Sequence, residues 1–130
     1  MVELDQFKYT LNGYEQPLKE VRDSLDLENK EQRVEELERE MEAPDFWDDA
    51  ERSQKMMKEL SSLKGDIEIY HKLQNQKEEI ELMIEMGYEE EDASVIPDIQ
   101  EMLEEFQRDF EHIRICLLYT SDAADDRISV

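Results

Sequence analysis

Few side chains in this sequence of 130 residues could carry out covalent or metal chemistry. The two histidines, His71 and His112, lie far apart, and we assign neither of them a sequence-local Cys or His partner. We therefore find no zinc-ligand spacing. Three scattered glycines cannot build a glycine-rich phosphate loop. We therefore interpret both histidines as surface or boundary residues of helices.

Carboxylates are the one abundant reactive group, with 37 Asp and Glu residues. A catalytic pair of carboxylates needs two environments that move the two pKa values apart, and solvated helix faces do not provide them. We interpret the individual Glu side chains as members of such solvated faces. The sequence therefore predicts no catalytic residue, no cofactor-binding residue and no metal ligand, and it predicts no cofactor.

The segment from Glu78 to Gln107 contains no Lys or Arg and is dense in Asp and Glu. A calcium loop would alternate Asp or Asn ligands around a central Gly, and the segment lacks that pattern. Two interpretations stay open at this point. The segment could face a basic protein partner, or it could be a self-repelling face that keeps the protein in solution.

The sequence contains 15 Lys and Arg and 37 Asp and Glu residues, so its net charge is −22. This charge argues against a basic surface that binds nucleic acid. With 3 Gly and 3 Pro, the chain has little turn material for a β sandwich or barrel. We find no apolar run of transmembrane length and no signal peptide. These features predict one acidic, soluble, cytoplasmic and mostly helical domain.

Apolar residues at alternating gaps of three and four predict helices that each bury one stripe. The first stripe runs from Leu4 to Leu25 and contains Pro17. Proline lacks an N–H and crowds the carbonyl four residues earlier, which here belongs to Gly13. We predict a kink over Gly13–Pro17, with two shorter helices as the alternative.

The remaining pattern predicts a helix over residues 28–43, a long helix over 49–86, an acidic turn over 88–93 and a second regular stripe over 96–113. Gly87 stands where a glycine would end the long helix. Matching stripes on successive helices predict that the helices fold back on one another. The predicted fold class is all-α, an elongated antiparallel helical hairpin or small bundle with coiled-coil-like packing.

The sharpest break in the pattern is at Pro44, because the residue before a proline is biased away from helix. Three nearby acids could cap the helix that follows: Asp45, Asp48 and Asp49. The break also holds Phe46 and the one Trp, Trp47. An exposed aromatic pair could be a binding anchor, whereas a buried pair would plug the end of a hairpin.

The helical spacing of apolar residues ends after Ile115. The run from Cys116 to Val130 has no stripe that continues the preceding one, and its first part reads CLLYTSDAAD. That run resembles one translated frame of a transposase-type sequencing adapter. We therefore expect residues 116–130 to be a non-native tail, and we give Cys116 no functional weight.

The segment from Glu31 to about Glu68 resembles the N-terminal domain of the bacterial release factor 2 family. Its residues 31–52 read EQRVEELEREMEAPDFWDDAER, and the proline, acid, aromatic and Trp of residues 44–47 match the family element most specifically. Ser61-Ser62-Leu63 matches the following family segment. The resemblance covers about residues 1–115, which we predict to form one helical domain.

The resemblance implies that the whole protein ends translation at UGA and UAA codons on the ribosome. Such factors read the codon with a Ser-Pro-Phe tripeptide and promote hydrolysis of peptidyl-tRNA with a Gly-Gly-Gln motif, and this sequence contains neither motif. We therefore expect a truncated, non-catalytic domain. The implied partners are a basic ribosomal protein in the factor-binding region of the large subunit and the GTPase that recycles release factors. We expect this domain to make no direct contact with nucleic acid and none with a membrane.

A second hypothesis from a different class is a free-standing acidic coiled-coil adaptor. It would use the stripes over residues 4–25 and 96–113 to pair with a partner chain. An obligate dimer would favour this adaptor, and a folded monomer would favour an intramolecular bundle.

Overall fold

The computed structural model describes the backbone of residues 1–129 and the side chains of residues 1–118. Within those residues the chain forms five α-helices, one short 3₁₀ helix and no β-strand, which confirms the all-α fold class. The helices are α1 (Val2–Asn12), α2 (Glu15–Leu25), α3 (Leu27–Met41), α4 (Ala50–Glu90) and α5 (Val95–Ser129). The 3₁₀ helix is Phe46–Asp48.

The chain divides into two compact units. The first unit contains Met1–Ser24 and the chain from Lys72 onward, and the second unit is Leu25–His71. In the first unit α1 packs against α5, and in the second unit α3 packs against the 3₁₀ helix. The predicted single domain over residues 1–115 therefore contains two separately clustered cores, and its boundary at residue 115 stays a prediction.

The first predicted stripe is buried as expected, but it is carried by two helices. Leu4 and Leu11 of α1 and Val21 of α2 are buried in the first unit. The turn between the helices is closed by a short bond from the Tyr14 N–H to the Leu11 carbonyl at 3.0 Å. The favoured prediction of a kinked single helix is wrong, because Pro17 has no N–H for the helix ladder and the chain tightens into a turn instead.

Helix α4 begins directly after one of the three acids that were predicted to cap it. Asp49 immediately precedes Ala50, and its Oδ1 accepts a hydrogen bond from the Arg52 N–H at 3.1 Å. Its carbonyl accepts the first helical bond, from the Ser53 N–H at 3.0 Å. Asp49 is therefore the N-cap among the three proposed acids.

The prediction that Gly87 ends the long helix is wrong. Helix α4 continues to Glu90, and the left-handed residue is Glu91 with φ 50°. The Asp92 N–H donates to the Gly87 carbonyl at 3.3 Å, which is the long bond of a Schellman cap. The acidic turn is consequently shorter than predicted, because residues 88–90 are helical.

Gly87 is instead a point of close approach within the first unit. A Cβ at this position would lie 2.9 Å from Val95 Cγ2 and 3.0 Å from Leu4 Cδ1. The glycine therefore lets the side chains of α1 and α5 pack onto the backbone of α4.

Helix α5 buries the second predicted stripe. Ile99, Leu103, Phe106 and Phe110 are all buried in the first unit, which confirms the stripe over residues 96–113. Helix α5 extends to Ser129 and so includes most of the segment predicted to be non-native. The side chains from residue 119 onward lie outside the described residues. The non-native origin of residues 116–130 stays a prediction.

None of the helices in the described residues is both long and apolar enough to cross a membrane.

Candidate functional site

The two aromatic residues in the turn between α3 and α4 differ in solvent exposure. Phe46 is 1% exposed and packs in a cluster with Leu37 and Met56. Trp47, the next residue, is 58% exposed. Their ring centroids are 4.8 Å apart with the planes at 90°, an edge-to-face contact. Phe46 is therefore packed into the second unit, as the structural interpretation predicts, and Trp47 faces solvent. The role of Trp47 as a binding anchor stays a prediction.

Local hydrogen bonds determine the path of this turn. The Phe46 N–H donates to the Ala43 carbonyl at 3.1 Å, and the Asp48 N–H donates to the Asp45 carbonyl at 3.1 Å. The cap at Asp49 then starts α4. Since the chain is bonded on both sides of Trp47 and Phe46 is buried, the backbone that carries the indole is held in place.

Ion pairs join α3 to α4 within the second unit. Arg33 Nε donates to Glu59 Oε1 at 2.8 Å, and Arg33 Nη1 donates to Glu36 Oε2 at 3.2 Å. Lys30 pairs with Asp66 at 2.8 Å. Because the partners rise along α3 from 30 to 33 and fall along α4 from 66 to 59, the two helices are antiparallel here.

The hydrogen bonds from the Arg33 guanidinium lower the pKa of the Glu59 carboxyl, although slight desolvation opposes the shift. Bonds to Glu59 and then to Glu36 raise the pKa of Arg33 in turn. These side chains are exposed, so the pairs contribute little to stability and act mainly to fix register.

An open groove beside these pairs has a volume of about 610 Å³. Its walls carry both signs of charge, from Arg33, Glu40, Asp49, Glu51, Arg52, Lys55, Met56 and Glu59. Arg33, Asp49 and Glu59 already bond to protein groups. The groove therefore shows neither the enclosure nor the convergent free polar groups that are typical of a small-molecule site.

In the first unit, the turn between α1 and α2 packs an aromatic side chain against helix α5. Tyr14 lies edge-on to Phe106 at 5.1 Å and to Phe110 at 5.0 Å between ring centroids. The two stripes proposed for an adaptor's partner chain therefore contact one another within this chain. The structure consequently leaves these stripes covered rather than free for a second protein.

Polar contacts that were not predicted from the sequence join helices at two places in the first unit. Gln76 Nε2 of α4 donates to Asp109 Oδ2 of α5 at 2.9 Å, and Lys72 Nζ approaches the same oxygen at 3.7 Å. The Tyr88 hydroxyl donates to Asp5 of α1, which raises the pKa of Tyr88. Residues 74–77 read QNQK and interrupt the apolar spacing of the long helix, a sequence signal that could have located the contact at Gln76.

The histidines lie where the sequence placed them, on exposed helix surfaces. The prediction that His112 has no sequence-local cysteine partner is wrong, because Cys116 Sγ lies 3.7 Å from His112 Nε2, one helical turn later. Among the described residues, no group of three or more His, Cys, Asp and Glu side chains could hold a metal ion. The absence of catalytic and metal-ligating residues stays a prediction for the chain.

The acidic segment surrounds the turn between α4 and α5. Asp92 Oδ1 accepts a hydrogen bond from the Ser94 N–H at 2.9 Å, and bonds from the Ser94 hydroxyl and N–H lower the pKa of Asp92. The exposed carboxylates of Glu89 and Glu90 precede it. Whether this segment meets a basic partner or only repels other acidic surfaces stays open.

The described residues thus define a class: an acidic, all-helical module. Residues 30–130 match the sequence model of the PCRF domain, so the chain belongs to the PCRF domain family. This match confirms the release-factor resemblance inferred from the sequence.

Curated relatives agree with this family. The chain is 34% identical to peptide chain release factor 2 of an Exiguobacterium species over 117 residues, which cover 90% of this chain and 32% of the relative. It is 32% identical to peptide chain release factor 2 of Staphylococcus haemolyticus over 117 residues, with the same coverage of 90% and 32%. The chain therefore spans about a third of the length of these relatives.

Proposed function

We propose that this chain is the N-terminal docking domain of a peptide chain release factor that acts in translation termination on the ribosome. The observation that carries the proposal is similarity over 90% of the chain to proteins named peptide chain release factor 2. The domain contributes docking, and the whole protein's other domains supply codon reading and peptide release. A cytoplasmic location follows from this role.

The charge of the chain supports a division of labour within the whole protein. A net charge of −22 repels RNA phosphates, so the grip on ribosomal RNA belongs to other domains of the factor. This domain instead faces basic protein or solvent. A basic ribosomal protein of the large subunit's factor-binding region is the proposed partner, and the recycling GTPase is a further one.

A binding assay with purified ribosomes tests the docking role. The 130-residue chain should co-sediment with ribosomes, and binding should weaken as salt rises because the contact is electrostatic. An unrelated helical protein of similar negative charge is the matched control. Equal co-sedimentation of the control would contradict a specific docking role.

A peptide-release assay tests the separation of docking from chemistry. Ribosomes stalled at UGA or UAA should release no peptide when this chain is added, and the complete factor should release it at both codons. The sequence contains neither Ser-Pro-Phe nor Gly-Gly-Gln, which is the basis of the expectation. Release by the chain alone would overturn the proposal that it is non-catalytic.

Light scattering separates the docking domain from the adaptor hypothesis. The contacts of Tyr14 with Phe106 and Phe110 cover both stripes within one chain, which favours a folded monomer. An obligate dimer that unfolds when it dissociates would favour the adaptor.

We also propose that residues from about 116 onward are non-native, on the adapter-like sequence of that segment. Sequencing genomic DNA across the codon for Ile115 tests this directly. A native reading frame that encodes the same residues would refute it.

A further inference from the structure

Trp47 is an unusual residue to leave in contact with water. It is the one Trp of the chain and is 58% exposed, whereas its neighbour Phe46 is 1% exposed. Tryptophan offers more apolar area than any other side chain and is enriched among the residues that dominate binding energy at protein interfaces. Its exposure at a turn therefore points to a contact surface.

The indole is also presented by an ordered support. Phe46 is buried with Leu37 and Met56, and its ring meets the indole edge-to-face at 4.8 Å between centroids. The 3₁₀ helix and the cap at Asp49 fix the backbone on both sides. A partner that binds Trp47 therefore loses little free energy in ordering this turn.

The charge around Trp47 indicates the chemistry of that partner. Asp45 and Asp48 flank the indole in sequence, both are exposed, and neither takes part in an ion pair within the described residues. A partner Lys or Arg can place its cation on the indole face while these carboxylates neutralise it. An apolar side chain beside that cation would cover the rest of the ring.

We propose that Trp47, with Asp45 and Asp48, forms a docking site for a segment of a basic protein that lays an Arg or Lys side chain on the indole. The proposal rests on the proposed function, because that function identifies the ribosome as the assembly that carries this basic segment. It deepens that function by assigning the partner's chemistry to one turn of the chain.

A single-stranded RNA is the competing occupant, because bases stack on Trp and because Arg52 and Lys55 follow on the first turns of α4. The observations favour protein. The carboxylates nearest to the indole in sequence, Asp45 and Asp48, would repel a phosphate backbone, and the whole chain carries a charge of −22.

The test titrates the intact chain into a fluorescein-labelled synthetic peptide of arginine and leucine and measures anisotropy. Trp47→Ala should weaken binding by about tenfold or more, and Trp47→Phe should weaken it less because an aromatic face remains. Leu82→Ala is the matched control, since Leu82 has the same exposed fraction of 58% in the first unit. It should change the affinity by less than about twofold.

A charge control separates a local site from general attraction between an acidic chain and a basic peptide. The double variant Asp45→Asn, Asp48→Asn should weaken binding more than Glu89→Gln, Glu90→Gln, which removes the same charge from the first unit. Equal losses for both pairs, no saturable binding of the peptide, or tighter binding of a single-stranded RNA oligonucleotide would each overturn the inference.

The two proposals fail in different ways. Peptide binding that depends on Trp47, without co-sedimentation on ribosomes, would retain the site and reject the ribosomal role. Co-sedimentation that is unchanged in Trp47→Ala, together with peptide binding that ignores Trp47, would retain the ribosomal role and reject the site.

Discussion

Glycine has two different roles at two positions of the long helix α4. Around Gly65, no heavy atom beyond the adjacent residues and the local helix backbone lies within 4 Å of the place where a Cβ would be. Around Gly87, side-chain carbons of Val95 and Leu4 lie 2.9 and 3.0 Å from that place. The helix tolerates the first glycine at an energetic cost, whereas the packing of the first unit uses the second.

This difference predicts unequal responses to the same substitution. Gly65→Ala should raise the free energy of unfolding by about 1 kcal/mol, because alanine is the better helix former and meets nothing. Gly87→Ala should gain less or lose stability, because Val95 and Leu4 must shift. Urea denaturation followed by circular dichroism measures both. Equal stabilisation by the two variants would contradict the close approach at Gly87.

The Arg33 and Glu59 pair makes a prediction about pH. The pKa of Glu59 is lowered in the folded protein, so its contribution to stability is present above the unfolded pKa and is lost as pH falls through the folded pKa. A carbon NMR titration should therefore place the Glu59 midpoint below the usual glutamate value of about 4.3. In Arg33→Gln the midpoint should rise, because the largest cause of the shift is removed. An unchanged midpoint would show that the pair is not formed in solution.

At the scale of the element, the start of α4 depends on one carboxylate among three. Asp49 accepts the Arg52 N–H, whereas Asp45 precedes the 3₁₀ helix without a side-chain capping bond and Asp48 lies within that helix. The sequence offered Asp45, Asp48 and Asp49 as equal candidates. Only the helical phase of the following residues decides which acid stands at the N-cap position.

Removal of the capping carboxylate should therefore destabilise the protein selectively. Asp49→Ala should lower the free energy of unfolding by about 1 kcal/mol, because the Arg52 N–H loses its partner. Asp48→Ala removes the same charge one residue earlier and should have a smaller effect. Chemical denaturation of the two variants at one ionic strength makes the comparison. A larger loss for Asp48→Ala would contradict the observed cap.

The far end of α4 shows why a glycine in a sequence is an uncertain stop signal. Gly87 suggested a helix end, but the left-handed cap is Glu91, four residues later. Glycine serves both at left-handed caps and where another element packs against backbone, and the sequence alone does not distinguish these uses. Contacts from Leu4 and Val95 establish the second use here.

For the whole molecule, the dominant electrostatic property is self-repulsion. The chain carries a net charge of −22, and the described ion pairs engage a minority of its carboxylates. Like charges that are brought together by folding destabilise the compact state. Dissolved salt screens that repulsion over about 10 Å at 0.1 M.

Salt should therefore stabilise this protein. The melting temperature should rise between low salt and about 0.5 M sodium chloride, because repulsion among carboxylates outweighs the exposed ion pairs that salt also weakens. Differential scanning calorimetry at neutral pH measures the change, and sucrose at equal osmolarity controls for general solute effects. A fall in melting temperature would show that the ion pairs matter more than the net charge.

The sequence by itself determined the all-α fold, the buried stripes over residues 4–25 and 96–113, the break at Pro44 and the family. These features follow from local periodicity and local backbone chemistry, which do not depend on contacts between elements that are far apart in the sequence. The family also followed from the sequence, because the element Pro44-Asp45-Phe46-Trp47 is a contiguous string.

The tertiary structure decided what those signals left undetermined. It buried Phe46 and exposed Trp47, used Gly87 for close packing, and joined Gln76 to Asp109 across two helices. Each outcome depends on which helix face lies opposite a residue. That information arises when elements far apart in sequence pack together, so local periodicity does not contain it.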